Sequence, residues 1–369
     1  MSGKSAQIII AGGGTGGHLF PGVAIAEEFL KRNGQTKILF VSTGRDLEKD
    51  ILKEQGFPLR TIRVEGFKGR GSVKALSALL KLPGSICESY RIIRDFRPHL
   101  VIGVGGYASG PVVFAASLLG IKTAIMEQNA LPGVTNRILG RFADRIFLTY
   151  SETKKWFPSD KTSVPGNPVR AAFIAGDHGC KEKGNRFTIL VFGGSQGASS
   201  INRMVMAALP LLKIKERSIK IIHQTGDKDL KYVSDIYKNY ELDAEVYPFI
   251  REMAAFYRKA DLVICRAGAT TLAEITVMGK AAILIPFPFA VDDHQRKNAE
   301  ALVRAGASIM IEERRNSEKE LADIIEQFYE HREMIKDMEA KAASLGNAGA
   351  ASTIVDACIA LIKTPEIFI

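Results

Sequence analysis

Three titratable side chains, His18, Tyr107 and Glu127, stand in or beside glycine-rich turns or directly after an apolar run. Side chains of these types can exchange protons with a reacting hydroxyl. His18 is the leading candidate for a general base, because an unperturbed imidazole has a pKa of about 6.5 and accepts a proton near neutral pH. Glu127 and Tyr107 are the next candidates, and the structural alternative for Glu127 is a helix-capping or surface carboxylate.

The element that positions His18 is predicted to be a strand, a glycine turn and a helix. Ile8 to Ile10 form a short apolar strand, and the buried helix is predicted to begin at Pro21. The turn between them contains five glycines, Gly12, Gly13, Gly14, Gly16 and Gly17. Because glycine has no Cβ, backbone amides can approach an anion there at a helix N-terminus. The pattern therefore favours ligand binding over a merely tight turn.

A dinucleotide site is the simplest rival for this turn. Gly12-x-Gly14-x-x-Gly17 matches the dinucleotide fingerprint, which for NAD requires an acidic residue at the end of the next strand. That strand, 37–41, ends in Ser-Thr-Gly-Arg, without an acid. Arg45 could receive a 2′-phosphate instead, so an NADP-dependent reductase stays open as an alternative.

Two further strands of the first half lead to polar side chains. Residues 100–104 form a strand that continues into a second glycine turn, 105–110, and residues 121–126 form a strand that ends at Glu127 and Asn129. In a parallel α/β sheet the ligand crevice lies at the carboxyl ends of the strands. His18, Tyr107 and the segment 127–129 are therefore expected to converge on one cleft.

The second half repeats this plan. A Pro/Gly hinge at 164–170 precedes a strand at 187–192, a glycine turn at 193–197 and later a strand, turn, helix and strand over 262–285. The predicted fold is α/β, with two doubly wound Rossmann-like domains and a ligand cleft between them. The predicted domains are 1–166 and 167–349, followed by a helix within 350–369 that packs back on the first domain.

The polar residues of the second half are typical of phosphate and ribose binding. Gly268 to Glu274 is a turn into a helix, whose amides suit a phosphate and whose carboxylate suits a ribose diol. The alternative is a capping box formed by Thr271 and Glu274. Asp292 and Asp293 are adjacent, and adjacent acids on one turn usually point apart, so no metal dependence is predicted.

Composition limits the partners. The 369 residues have a formal net charge of +10, which favours anionic partners, and four dispersed cysteines argue against a zinc site or a disulfide framework. A nucleic-acid partner is not expected, since the 8% aromatic residues form no basic-aromatic stripe.

The first strand begins within a few residues, so we expect a cytoplasmic protein without a signal peptide, at most peripheral to a membrane. The basic amphipathic segment 67–97 is the predicted contact with an anionic membrane face, with an ordinary packed helix as the alternative. The predicted membrane-contact residues are Lys74, Leu76, Leu79, Leu80, Lys81 and Leu82.

Six motifs occur in order over nearly the whole chain: Gly13 to His18, Gly105 to Pro111, Glu127 to Asn129, Pro165 to Arg170, Gly193 to Gly197 and Asp292 to Gln295. This set resembles the MurG family of bacterial glycosyltransferases, which add N-acetylglucosamine to a membrane-bound muramyl-pentapeptide lipid in peptidoglycan synthesis. The resemblance implies a GT-B fold, with the acceptor lipid (lipid I) on the N-terminal domain and UDP-N-acetylglucosamine mainly on the C-terminal domain. It also implies an enzyme at the cytoplasmic face of the inner membrane, with cell-wall and division proteins as further partners.

The resemblance also implies the binding residues. The donor contacts would be Thr15, Gly16, Gly17, Asn129, Arg170, Ser195, Gln196, Ile250, Ala269, Thr270, Thr271, Leu272, Ala273, Glu274 and Gln295. Ser195 would meet the diphosphate, the Ile250 backbone the uracil and Glu274 the ribose. The implied reaction is an inverting displacement at the anomeric carbon with His18 as base and no metal or other cofactor. A UDP-sugar epimerase of the same fold is the second alternative enzyme, and a basic membrane-docking module is the non-enzymatic one.

Overall fold

The computed structural model describes residues 5–14, 16–64, 72–175, 186–195, 197–212 and 218–363, and for 72–82 and 291 it describes the backbone alone. The chain divides into two compact units, Met1–Ala171 with Asn347–Ile369 and Ala172–Gly346. Both units are doubly wound α/β structures, and the predicted fold class is confirmed.

The units divide at 171/172 and 346/347, whereas the sequence predicted boundaries at 166/167 and 349/350. Local contacts explain the difference. The Arg170 guanidinium stacks on the Phe20 ring at 3.9 Å, and the Ala171 amide donates to the Glu27 carboxylate at 2.9 Å. The Asn347 side chain donates to the Pro165 carbonyl at 2.7 Å. Arg170, predicted to belong to the second domain, is therefore part of the first unit.

The first unit contains a seven-stranded sheet in the order β3-β2-β1-β4-β5-β6-β7, whose described pairings are all parallel. Its strands are β1 (Gln7–Ala11), β2 (Lys37–Ser42), β3 (Leu59–Thr61), β4 (Leu100–Gly103), β5 (Lys122–Glu127), β6 (Arg145–Leu148) and β7 (Thr162–Ser163). The helices before the hinge are α1 (Gly16–Arg32), α2 (Asp46–Glu54), α3 (Ser72–Phe96), α4 (Ser109–Leu118) and α5 (Val134–Leu139), and α6 (Ala171–Ile174) follows it.

Helix α1 begins at Gly16, five residues before the predicted start at Pro21. Proline lacks the amide that would bond to the Gly17 carbonyl, but one lost bond does not end a helix that buries Leu19 and Val23 on the core. The earlier start places His18 in the first turn of α1 rather than ahead of it.

Side chains of β1 alternate between two cores. Ile8 and Ile10 pack in one cluster, and Ile9 and Ala11 pack in the other. A strand in the middle of a parallel sheet is buried on both faces, which accounts for the uninterrupted apolar run in its sequence.

The second unit contains a six-stranded parallel sheet in the order β10-β9-β8-β11-β12-β13, the same winding as β3 to β6 of the first. Its strands are β8 (Phe187–Phe192), β9 (Ile219–Gln224), β10 (Asp243–Tyr247), β11 (Leu262–Cys265), β12 (Ala281–Leu284) and β13 (Ile309–Met310). Its helices are α7 (Ser199–Ala208), α8 (Leu230–Asn239), α9 (Met253–Lys259), α10 (Ala269–Met278), α11 (His294–Arg304), α12 (Ser317–Glu330) and α13 (Arg332–Leu345).

The last helix, α14 (Ala350–Lys363), packs in the first unit, where Ile354, Val355 and Cys358 join the cluster that contains Ile8 and Ile10. Within the described residues, the stretch 332–363 is long and apolar enough to cross a membrane by length and composition. It consists of two helices, α13 and α14, and the apolar side of α14 is buried in this core.

Candidate functional site

The first and second glycine turns touch each other backbone to backbone. The Gly13 amide donates to the Gly105 carbonyl at 3.2 Å, and the Gly12 amide donates to the Val41 carbonyl at 3.0 Å. A Cβ on Gly106, which has a φ of +80°, would collide with the Gly13 carbonyl oxygen. Glycine is required here because no other residue permits both this φ and this approach.

His18 lies against the second turn. A Cβ on Gly105 would be 2.6 Å from His18 Nδ1, so the imidazole is in contact with the backbone at this position. The His18 side chain is half-buried, and Tyr107, two residues further along the turn, is 44% exposed. The first unit thus brings together His18 and the turn that contains Tyr107, at the carboxyl ends of β1 and β4.

Glu127, at the end of β5, is buried and holds the loop that follows it. One carboxylate oxygen accepts hydrogen bonds from the amide and side chain of Asn129, at 3.0 and 3.2 Å. The other accepts from the Gly133 amide at 3.0 Å and from Asn136 Nδ2 at 2.9 Å. These four donors give Glu127 a positioning role in the loop that contains Asn129, and its use as a base stays a prediction.

Sequence reasoning missed Glu48, in α2, which supports the first glycine turn. Its buried carboxylate accepts from the Gly14 amide, from Ser42 Oγ at 2.8 Å and from the Arg45 amide at 3.0 Å. The Arg45 guanidinium donates to the Gly14 carbonyl. Because the Gly14 amide already donates to this carboxylate, it is not available to a dinucleotide pyrophosphate, which disfavours that ligand on the same turn.

The glycine turn of the second unit joins β8 to α7. Gly194 and Gly197 have φ values of +105° and +72°, and a Cβ on Gly197 would collide with the Thr225 carbonyl oxygen at the end of β9. The Gly197 amide donates to the Gly194 carbonyl at 3.0 Å, which closes the turn. Ser195, the predicted diphosphate contact, is half-buried in this turn.

Helix α10 begins directly after Gly268, which is its N-cap. Thr271 and Glu274 therefore lie inside the helix, and the alternative that they form a capping box is wrong. Thr270 and Glu274 are buried, and Glu274 is close enough to Cys265 to add to the effect of burial in raising the pKa of that thiol.

Arg266, a second residue that sequence reasoning missed, joins the elements around the start of α10. Its guanidinium donates to the Ile285 carbonyl at 3.0 Å and to Ser200 Oγ at 2.7 Å, and it pairs with Glu313. Burial lowers the pKa of Arg266, and the Glu313 carboxylate opposes this effect. The sequence offers no spacing signal for it, because its partners come from three distant segments.

The segment before α11 is strained. Asp292 and Asp293 have φ values of +55° and +56°, a left-handed conformation that non-glycine residues rarely adopt and that is common at functional sites. Gln295, two residues later, accepts a hydrogen bond from the Phe287 amide at 3.0 Å through its side-chain oxygen. Among the described residues, no group of three or more His, Cys, Asp or Glu side chains could hold a metal ion.

Several predicted residues lie outside the description. Thr15 and Gln196 are not described, and for Lys74, Leu76, Leu79, Leu80, Lys81 and Leu82 only a helical backbone is described, within α3. The predicted donor contacts that are described fall in both units. Gly16, Gly17, Asn129 and Arg170 are in the first, and Ser195, Ile250, Gln295 and Ala269 to Glu274 are in the second.

Comparison with known proteins agrees with these features. Residues 8–148 match the model of the glycosyltransferase family 28 N-terminal domain, and residues 188–354 match that of the C-terminal domain. A Syntrophus aciditrophicus protein named UDP-N-acetylglucosamine--N-acetylmuramyl-(pentapeptide) pyrophosphoryl-undecaprenol N-acetylglucosamine transferase is 58% identical, over 97% of this chain and 99% of its own.

Two solved structures place the fold. The crystal structure of Acinetobacter baumannii MurG matches with a TM-score of 0.75 and 30% identity, over 95% of this chain and 98% of its own. A UDP-N-acetylglucosamine 2-epimerase matches with a TM-score of 0.70 at 13% identity, over the full length of both chains, which is a likeness of fold alone. Since the family models match both units, the chain belongs to glycosyltransferase family 28.

Proposed function

We propose that this chain transfers N-acetylglucosamine from UDP-N-acetylglucosamine to the 4-hydroxyl of the muramyl sugar in muramyl-(pentapeptide) pyrophosphoryl-undecaprenol. The observation that carries this proposal is the match to a transferase of that name over nearly the whole chain. The reductase and epimerase alternatives have weaker support. The Glu48 carboxylate already accepts from the Gly14 amide in the turn that NADP would need, and the epimerase likeness is one of fold.

In the proposed reaction His18 is the general base. Its imidazole lies over the second glycine turn at the carboxyl end of the sheet, where an acceptor hydroxyl would be bound. As the hydroxyl oxygen attacks the anomeric carbon with inversion, its proton passes to His18 and the bond from the anomeric carbon to the diphosphate oxygen breaks. Tyr107 and Glu127 are less suited, since Tyr107 is exposed and Glu127 accepts four hydrogen bonds in its loop.

The second unit would hold the departing UDP. The N-terminus of α10 presents backbone amides, which stabilise the negative charge that develops on the diphosphate, and Ser195 lies in the turn between β8 and α7 that would meet the same group. Glu274, buried in the second turn of α10, would accept hydrogen bonds from the ribose hydroxyls. Because amides can supply this stabilisation, we propose that the reaction requires no metal or other cofactor.

We further propose that the protein attaches peripherally to the cytoplasmic face of the inner membrane. The described part of the first unit supports this with exposed apolar side chains at the ends of α4 and α5, including Leu118, Ile138 and Phe142. The rings of Phe114, within α4, and Phe142, three residues after the end of α5, are 5.4 Å apart, so the segment after α5 packs against α4. Exposed basic residues accompany them, Arg137, Arg141 and Arg145. Such a surface suits an anionic bilayer, to which each basic residue adds about 1 kcal/mol.

Sedimentation with vesicles that contain anionic lipid tests the membrane proposal. The double variant Leu118→Asp, Ile138→Asp should bind such vesicles more weakly than the wild type. Equal binding would contradict a role for this surface. Contacts with cell-wall and division proteins stay a prediction.

UDP release from UDP-N-acetylglucosamine tests the proposed reaction, with and without a soluble muramyl-diphosphoryl-lipid analogue, each in EDTA. We expect release that depends on the acceptor and survives EDTA, with a disaccharide product by mass spectrometry. Release without acceptor would indicate an epimerase or a hydrolase, and loss of turnover in EDTA would contradict the metal-free reaction.

A further inference from the structure

We propose that Gln224 is a positioning residue that fixes the diphosphate turn and the nucleobase segment of the donor site relative to each other. The proposal rests on the proposed function, in which the turn 193–197 meets the diphosphate and Ile250 meets the uracil. Gln224 belongs to neither set.

The location of Gln224 follows from the sheet order. Strand β9 lies between β8 and β10, and Gln224, its last residue, is paired with Phe192 on one side and Tyr247 on the other. The chain leaves Phe192 into the glycine turn and leaves Tyr247 towards Ile250. Gln224 is therefore at the point where these two segments diverge.

The side chain of Gln224 bonds to both segments. Its Nε2 donates to the Gly194 carbonyl at 2.8 Å, and its Oε1 accepts from the Ile250 amide at 2.7 Å. The side chain is 1% exposed, so water does not compete for either bond. A primary amide is suited to this position, because it has donors on its nitrogen and an acceptor on its oxygen in fixed directions.

The backbone after Gln224 reinforces the same connection. The Thr225 amide donates to the Tyr247 carbonyl at 2.9 Å, and the Gly226 amide donates to the Pro248 carbonyl at 3.1 Å. On the other side, Gly197 packs so closely on Thr225 that a Cβ there would collide with its carbonyl. The segment 224–226 thus holds both parts of the donor site through side chain and backbone.

The hydrogen bond from the Ile250 amide to Gln224 also limits how the Ile250 backbone can bind uracil. Since the Ile250 amide already donates to Gln224, uracil recognition at Ile250 would use its carbonyl oxygen, as the acceptor for the N3–H group of the base. Loss of Gln224 should therefore weaken donor binding through misplacement of both segments, without a direct contact to the ligand.

The variant Gln224→Met tests the proposal, because methionine keeps the length and removes both hydrogen bonds. Calorimetric titration of the full chain with UDP should give a dissociation constant about tenfold above the wild type, since two hydrogen bonds are lost. The KM for UDP-N-acetylglucosamine should rise by a similar factor, with kcat and the KM of the acceptor analogue within about twofold of the wild type.

The matched control is Ile221→Val. Ile221 is buried in the core on the opposite face of β9, so the loss of one methyl group weakens the packing of the same strand without touching either segment. UDP affinity should be unchanged in this variant. An equal loss of affinity in both variants would show that Gln224 acts only through general packing, and it would overturn the proposal.

A second variant, Gln224→Glu, separates the two ends of the side chain. A carboxylate still accepts from the Ile250 amide but opposes the Gly194 carbonyl, so uridine should bind about as well as to the wild type and UDP more weakly. Unchanged UDP affinity in both Gln224 variants overturns the proposal and leaves the proposed function intact. A wild-type protein that does not bind UDP overturns the donor site itself and the proposal with it.

Discussion

The two units contain the same strand, glycine turn and helix, but different side chains support the two turns. In the first unit the buried carboxylate of Glu48 accepts from the Gly14 amide. In the second unit the neutral amide of Gln224 donates to the Gly194 carbonyl. In the first turn the Gly14 amide is thus bonded to a carboxylate and the Gly14 carbonyl to the Arg45 guanidinium, whereas the side chain that supports the second turn carries no charge.

This difference indicates a division of work between the turns. An anionic diphosphate is favoured at the second turn, because the support there adds no negative charge and the N-terminus of α10 contributes a positive dipole end in the same unit. The first turn, 12–17, packs on the turn 105–110 of the same unit, and the His18 side chain contacts Gly105. Its role in this account is to hold a base in a fixed position.

The largest effect is expected from His18→Ala. With both substrates saturating, turnover should fall by about a hundred- to ten-thousand-fold, because the proton of the acceptor hydroxyl loses its base. UDP affinity should be unchanged. Acceptor-dependent UDP release measures the first quantity, and calorimetry measures the second.

The control for this variant is His99→Ala. His99 is an exposed imidazole of the same unit, whose Nδ1 accepts from the Gln7 amide at the start of β1, the end opposite to the glycine turn. Its loss should leave turnover near normal. Near-normal turnover of His18→Ala would remove His18 from its assigned role, and Tyr107 and Glu127 would then be tested.

An intermediate effect is expected from Glu48→Gln. The glutamine side chain has only one accepting oxygen, whereas both carboxylate oxygens of Glu48 accept hydrogen bonds. At least one donor among Gly14, Ser42 and Arg45 therefore loses its partner, and the free energy of unfolding should fall by about 1–3 kcal/mol. Turnover should fall by about tenfold, less than the roughly hundredfold that a 1 Å misplacement can cause.

Asp46→Asn is the matched control for Glu48→Gln. Asp46 is an exposed carboxylate on the same helix, paired only with Lys49 among its described contacts. Urea unfolding should give a change within about 0.5 kcal/mol for this control. If Glu48→Gln behaved in the same way, the carboxylate would not support the turn.

The last effect is seen only at acid pH and concerns the support of the second turn. His223 is buried, bonded to Tyr237 and Asn202, and Asn202 in turn donates to the Thr225 carbonyl on which Gly197 packs. Burial lowers the pKa of His223 to about 3. Below the unfolded pKa of about 6.5 the unfolded chain binds a proton that the folded chain does not.

The contribution of His223 to stability is therefore complete above about pH 6.5 and is lost as the pH falls towards about 3, by about 1.4 kcal/mol per pH unit. Between pH 7 and 5 the wild type should lose more of its unfolding free energy than His223→Gln does. Urea unfolding at both pH values measures this difference, and parallel losses in the two proteins would contradict it.

Much of the fold follows from the sequence because parallel strands leave a strong local signal. The apolar runs at Ile8, Leu100 and Leu262 each became a central strand, and the repeated strand and glycine turn predicted two similarly wound units. The predicted helix start at Pro21 was wrong, because proline is favoured at the first position of a helix but can also occur further along it, as it does in α1.

The supporting residues of the site were not predictable in the same way. Glu48 and Gln224 are ordinary surface-type residues in the sequence, and their function arises from contacts with segments 34 and 30 residues away. Nothing in local spacing distinguishes a carboxylate that supports a turn from one that faces water. The glycines that they support were visible, because a run of glycines has few structural uses.

The central claim is that the glycine turn of the second unit, 193–197, binds the diphosphate and that the first glycine turn of the first unit, 12–17, does not. Paired titrations of UDP into Gly197→Ala and Gly106→Ala test it most directly, since each alanine would occupy a positive φ, at a strain of about 1–2 kcal/mol, and would collide with a carbonyl of its own unit. Gly106 itself lies in the turn 105–110, and its alanine would displace the first turn because the new Cβ collides with the Gly13 carbonyl. We predict that Gly197→Ala raises the UDP dissociation constant by about tenfold or more and that Gly106→Ala leaves it within about twofold of the wild type. Equal weakening in the two variants, or weakening by Gly106→Ala alone, would contradict the account.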